Sequence, residues 1–278
     1  MEPDRLNALI NLLDDPDELI FNNVVTEFLK EDISIISHLD KIWETSLDEL
    51  VQSRIEKIIQ QIQLKHTSVR IKEWTNQKHI DLFEGFFLIS QYQYPRLKLS
   101  DIEDKLNRIS DEVRNMTDNR MTSIEKIATL NHILFDKYKF RTSPGFFQPE
   151  NYYINYLFDT KEGASVSLSI LYILIARKLD FSMQFIDFPK TPILGYLDQK
   201  TSISPAFYVH PSNKGAIIGR KELDFFLKRN NMASNNCLDN FCDDKTIIKK
   251  LLMGLIEAYS ILGNHEKVND LKSIIADI

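Results

Sequence analysis

The stretch SVSLSILYILIARKL, residues 165–179, constrains this chain more than any other. Its apolar residues include Val166, Leu168, Ile170, Leu171, Ile173, Leu174, Ile175 and Ala176, so a helix built from it is apolar almost all round. Such a helix has no face for water and must be enclosed on several sides. The chain just after it has a different texture. MQFIDFP, TPILGYLD and PAFYVHP are short, rich in β-branched and aromatic residues, and cut by turn residues, so they read as strands near 183–188, 192–197 and 206–210. A helix followed by three short strands predicts an antiparallel sheet laid on a central helix.

The chain before this unit reads as helical. Leu6, Leu9, Ile10 and Leu13 recur on one helical face. Asp14-Asp15-Pro16-Asp17 then breaks the chain and offers a cap for a second helix through Phe28, like a HEAT-type helix pair. Ser46 with Glu49, Ser100 with Glu103, and Thr122 with Glu125 each fit a capping box, the first opening a helix through Ile62. DLFEGFFLISQYQYP reads as a buried helix ending at Pro95, and RTSPGFFQPENYY as an ordered loop. Helical texture returns at Gly219-Arg220-Lys221, and the last 36 residues read as two helices with a turn at Gly263-Asn264. The expected class is α+β, mostly helical, in three parts: a helical region over 1–115, an α+β core over 116–230 and a helical hairpin over 231–278.

Composition excludes several functions. The 278 residues are 43% hydrophobic and 27% charged with a net charge of −6, and no Lys/Arg stripe offers to neutralise phosphates, so nucleic acid is not an expected partner. Neither G-x-G-x-x-G nor G-x-x-x-x-G-K occurs among the eight glycines. The N-terminus is acidic at once, unlike a secretory signal, and no apolar run is long enough to span a membrane, so the expected location is cytoplasmic with no membrane partner. Cys237 and Cys242 are too few for a closed zinc site and read as free thiols. His38, His66, His79, His132 and His265 stand apart from any ligand pattern, so neither metal nor cofactor is expected.

A buried helix whose start faces a cleft, followed by an antiparallel sheet, is similar to the transglutaminase and papain-like core. LNHILFDKYKFRTS, FFQPENYYINYLF, KEGASVSLSILYILIARKLDF, FYVHPSNKGAIIGRKELDFFL and LLMGLIEAYSILGNHEKV, in this order, resemble the SirB family of bacterial transglutaminase-like proteins, which end in a tetratricopeptide-like segment. In transglutaminases a cysteine opens the helix, a histidine lies on the next strand and an aspartate on the one after. The resemblance places these positions on Ser165, Thr191 and His210. SirB-type chains commonly carry proline at the first. They usually read F-P-G-H where this chain has Phe188-Pro189-Lys190-Thr191, and Asp-Pro where it has His210-Pro211.

All three positions therefore differ from Cys, His and Asp. The resemblance implies a protein with no catalytic residues, acting as a protein- or ligand-binding scaffold with a regulatory role. The opposing expectation is an amidase, peptidase or transglutaminase that uses Ser165, or a thiol brought in from Cys237 or Cys242. Ser165 reads as an N-cap or first-turn residue with Ser167 as a competing cap, and Gly163 as the site of a tight turn before the helix. Asn151 and Asn155, with Gly163 and Ser167, are the candidate cleft-lining residues. Phe146, Phe147, Tyr152 and Tyr153 read as packing or as a recognition surface for a protein or peptide partner. The oligomeric state is left open.

Overall fold

The computed structural model describes residues 3–145, 148–188, 191–198, 204–229, 238 and 240–278. The chain opens with α1 (Pro3–Asn11), α2 (Glu18–Phe28), α3 (Ile36–Thr45) and α4 (Glu49–Thr75). Asp17 caps α2 by accepting from the Leu19 N–H, as the break at 14–17 predicts. The buried Arg54 of α4 reaches back to this break, donating to the carbonyl oxygens of Leu13 and Asp15 and stacking on Phe21. Phe21, Phe28, Leu39, Ile55 and Ile58 enclose a first apolar cluster among these four helices.

Next come α5 (Leu82–Gln93), α6 (Leu99–Met116) and α7 (Ser123–Asn131), which runs into a π-helical turn at His132–Lys137. The capping box of Thr122 and Glu125 is present at the start of α7. The other two expected boxes are not. Asp48 caps α4, accepting from Leu50 and Val51 N–H, while Ser46 ends α3, and α4 runs on past Ile62 to Thr75. At α6 the cap position is Lys98, with no side-chain bond, and the Ser100 hydroxyl turns to Asp101. An aspartate nearer the first turn displaces Ser46, since its carboxylate serves two N–H groups at once.

The segment after the π turn is β1 (Arg141–Thr142), a 3-10 turn at Pro149–Tyr152, α8 (Ile154–Thr160) and β2 (Glu162–Gly163). β1 and β2 pair in parallel. Then come α9 (Ser165–Lys178), β3 (Met183–Ile186), β4 (Ile193–Tyr196), β5 (Phe207–His210), β6 (Ala216–Ile218), α10 (Arg220–Arg229) and β7 (Phe241–Cys242). The larger sheet is antiparallel throughout, in the order β6-β5-β4-β3-β7. The chain closes with the hairpin of α11 (Asp244–Ile261) and α12 (His265–Ala276).

α9 is the centre of the molecule. Every residue from Ser167 to Ala176 is buried. It packs on α5, α6, α8 and α11 and on the β3–β4 face of the sheet. The other face of the sheet carries a smaller cluster, Ile186, Ile193 and Tyr208 under Leu223 and Leu227 of α10. α12 is tied to the earlier helices by Asp270, which accepts from Gln60 Nε2 and Tyr92 Oη, each at 2.8 Å. No helix among the described residues is long and apolar enough to cross a membrane.

Leu171 is fully buried in α9. Leu171→Ala should cost roughly 2–5 kcal/mol through lost burial and a residual cavity. A urea melt reads this as a lower midpoint; an unchanged midpoint would mean that α9 does not carry the core.

Candidate functional site

Ser165 is the first residue of α9 and is partly exposed. It is not a cap, and neither is Ser167: the cap position is Ala164, which has no side-chain bond to give. Ser167 is fully buried and its hydroxyl has no partner. The start of α9 is held instead by backbone, since the Ala164 N–H donates to the Asn151 carbonyl at 2.8 Å.

Gly163 does not form the expected turn. The left-handed residue is Lys161, with φ 64°. Gly163 sits in β2, where a Cβ would come within 2.8 Å of Leu157 and 3.3 Å of the Asn151 carbonyl oxygen, so it is needed for close approach. Asn151 is buried, and its Nδ2 donates to the Gly145 carbonyl at 2.8 Å. The carboxamide oxygens of Asn151 and Asn155 are buried without partners. Tyr153 is a core residue, edge-on to Tyr94 and hydroxyl to hydroxyl with Tyr259 at 3.1 Å. Phe146, Phe147, Lys190 and Cys237 lie outside the described residues.

The topology brings the other two positions together. α9 has 14 residues, about 21 Å of helix. β3 starts a short turn after the C-terminus of α9 and packs on it. The start of β4 and the end of β5 therefore lie at the end of the sheet away from the C-terminus of α9. Thr191 precedes β4 rather than lying in it; His210 is the last residue of β5. They meet each other, with Thr191 Oγ1 3.1 Å from His210 Nε2. The His210 Nδ1 is buried and unpartnered. No hydrogen bond joins Ser165 to either among the described residues.

Electrostatics leaves this pair uncharged. Burial lowers the His210 pKa below its ordinary 6.5. Thr191 has no titratable group to hold the imidazole as a cation, and burial outweighs the opposing pull of the histidine's own backbone. Cys242 does not reach the site. It shares a cross-strand row with Phe185, Leu194 and Val209, so three strand spacings, about 14 Å, separate it from β5. Burial also raises its thiol pKa, away from a reactive thiolate.

Asn131, at the end of α7, is a residue that the sequence does not single out. Its Oδ1 accepts from Tyr172 Oη of α9 at 2.8 Å, and its Nδ2 donates to the Gly215 carbonyl at 2.7 Å. Gly215 lies at φ 71°, and its N–H donates to the His210 carbonyl at 3.0 Å. A Cβ at Gly215 would fall 2.0 Å from Asn131 Oδ1. Asn131 thus clamps the turn after His210 to the buried helix. Among the described residues, no group of three or more His, Cys, Asp or Glu side chains could hold a metal ion.

The family model of the transglutaminase-like superfamily matches residues 100–253, more than half of the chain, and spans α9, the sheet and the positions just described. The chain belongs to the transglutaminase-like superfamily. This transglutaminase-like chain is similar to the F-box only protein 21 of Mus musculus, 22% identical over 153 residues, which are 53% of this chain and 23% of that protein. The F-box only protein 21 of Homo sapiens is 23% identical over the same length. A "UPF0162 protein" of Xylella fastidiosa is 25% identical over 122 residues, 42% of this chain and 43% of that protein. The matches thus span under half of each relative's own length. No solved structure matches.

The lowered pKa of His210 has a measurable consequence. Between the folded value and 6.5 the unfolded chain binds more protons than the folded one, so stability rises with pH across that window. It is fully present above 6.5 and lost as pH falls toward the folded value. His66, also lowered mainly by burial, acts in the same sense. Urea midpoints measured at about pH 7.5 and 5.5 should fall with pH, and His210→Gln should flatten the fall. An equal fall in the variant would place the His210 pKa at its ordinary value.

Proposed function

We propose that this chain is a non-catalytic member of the transglutaminase-like superfamily, of the bacterial SirB type, acting in the cytoplasm as a scaffold that binds a protein or peptide partner in a regulatory role. The observation that carries the reading is the Thr191–His210 hydrogen bond. The resemblance assigns these two positions to the imidazole and the carboxylate of a transglutaminase, and the bond joins them as that assignment expects. An imidazole in the base position takes the nucleophile's proton, and a carboxylate behind it stabilises the resulting cation. Here the hydroxyl of Thr191 cannot take a proton, and the half-buried His210, its pKa lowered, offers a neutral ring behind it.

Ser165 adds no nucleophile. A helix start stabilises an anion by about 0.3–1 kcal/mol, far too little to ionise a serine hydroxyl at neutral pH. We place the interaction surfaces on the helical region over 1–115 and the tetratricopeptide-like hairpin over 231–278, on either side of the core over 116–230. In the F-box only protein 21 relatives the matched unit is likewise one part of a longer chain.

The purified protein should neither hydrolyse nor cross-link glutaminyl peptides, and Ser165→Ala should shift stability by no more than about 0.5 kcal/mol, because no cap bond is lost. Labelling of Ser165 by a fluorophosphonate, or amidase turnover that disappears in Ser165→Ala, would overturn the reading in favour of a serine hydrolase.

A further inference from the structure

The first apolar cluster, among α1 to α4, and the core around α9 meet at a junction that is not sealed. An open cavity of about 310 Å³ lies there, between α3, α4 and the chain that leaves α5. Ile36 of α3 and Ile59 of α4 belong to the first cluster, and Tyr94 packs on the core around α9. All three line the cavity, together with Pro95. Ligand sites run from about 300 to 1,000 Å³, so this one has room for a short segment rather than a large cofactor.

The polar groups of the lining are few and specific. Gln93 Oε1 accepts from Tyr259 Oη at 3.3 Å. This bond orients the carboxamide and leaves its Nε2 as a donor with no partner among the described residues. Gln63 of α4, the other amide of the lining, makes no side-chain hydrogen bond among the described residues. Asp40 and Arg96, the two charged residues, pair with each other at 2.6 Å, so no lining residue carries an unpaired charge. The Tyr94 ring is fixed at 86° to that of the buried Tyr153, with 5.4 Å between centroids. Burial raises the Tyr94 pKa, so its hydroxyl stays neutral. The cavity thus offers a fixed aromatic wall, apolar sides and amide donors, with no charge to spare.

These features select a class of ligand. A neutral, apolar chain with carbonyl acceptors and no N–H donors matches them. A proline-rich peptide is such a chain. It has no backbone N–H, stays extended without internal hydrogen bonds, and packs its rings on aromatic side chains. An ordinary peptide brings an N–H at every residue, and Gln93 has no acceptor left for one. We propose that this cavity binds an uncharged, proline-rich segment of a partner protein, with Gln63 and Gln93 donating to its carbonyl oxygens and its rings packed on Tyr94, Pro95 and Ile59. The proposal rests on the scaffold reading above and names the partner's chemistry for the helical region over 1–115.

The test is a titration of the full-length, ¹⁵N-labelled protein. It follows the side-chain amide signals of Gln63 and Gln93 and the backbone amide signals of Tyr94 and Arg96. Three probes are used: acetyl-hexaproline amide, acetyl-Gly-Ser-Gly-Ser-Gly-Ser amide, and an amphipathic Leu/Lys peptide that folds as a helix. Hexaproline should move these signals and saturate, with the Gly-Ser peptide weaker by about tenfold or more. Gln63→Ala removes a donor that the unbound protein does not use, so it should weaken hexaproline by about fivefold and leave the fold intact. No saturation by about 10 mM hexaproline, an equal response to the Gly-Ser peptide, or a response confined to other residues would overturn the proposal. So would an unchanged affinity in Gln63→Ala, or tighter binding of the Leu/Lys peptide at the same signals, which would assign the cavity to a helix. Each of these results leaves the scaffold reading standing, because that reading falls only on labelling of Ser165 or on amidase turnover. The wild-type arms decide the matter even if Gln63→Ala does not fold.

Discussion

The enclosure of α9 is the constraint on which the rest of this molecule depends. A helix with no polar face loses free energy on every side that stays wet, and here ten consecutive residues are buried. α5, α6, α8 and α11 and one face of the sheet supply the enclosure. They come from regions far apart in sequence, so burying one helix draws most of the chain into a single core. The enclosure also confines chemistry to the ends of the helix. At the C-terminal end, Arg177 is held by both oxygens of Asp244, at 2.8 and 2.7 Å, and Asp180 turns the chain through a left-handed residue into β3. Ser165 at the other end is left partly exposed and uncapped.

The geometry of the candidate site results from that same packing. β3 begins beside the C-terminus of α9, so its far end, the start of β4 and the end of β5 gather at the opposite end of the sheet. Asn131 then pins the turn after His210 through Tyr172, a side chain of the buried helix itself. The superfamily's triad works as a unit of nucleophile, base and orienting acid. On the proposed reading, Ser165, Thr191 and His210 take the three places with none of the three chemistries. Thr191 and His210 form a hydrogen-bonded pair in which burial lowers the imidazole pKa.

How much of this was legible in the sequence depended on the length of the signal. α9 could be read because eight apolar residues within eleven positions admit no amphipathic face. The cores of β3, β4 and β5 could be read because each four-residue strand carries at least two β-branched or aromatic residues between turn breaks. β1, β2 and β7 have two residues each, too short for any period to show. Capping was legible at Asp17 and Thr122 but not at α4 or α6, where Asp48 outcompetes Ser46 and Lys98 leaves the position uncapped. Ser165, Thr191 and His210 could be picked out only through a family resemblance. The clamp at Asn131 had no local signature, since its partners lie 41 and 84 residues away.

The central claim is that positions 165, 191 and 210 still converge as a triad would, with only the chemistry lost. The direct test compares the pH dependence of iodoacetamide alkylation at position 165 in two variants, with Cys237 and Cys242 changed to serine in both. One is Ser165→Cys; the other adds Thr191→His and His210→Asp. If the places converge, the triple variant's thiol should react as a thiolate well below the ordinary thiol pKa of about 8.5, and the single variant's should not. Identical profiles near 8.5 in both folded variants would contradict the claim.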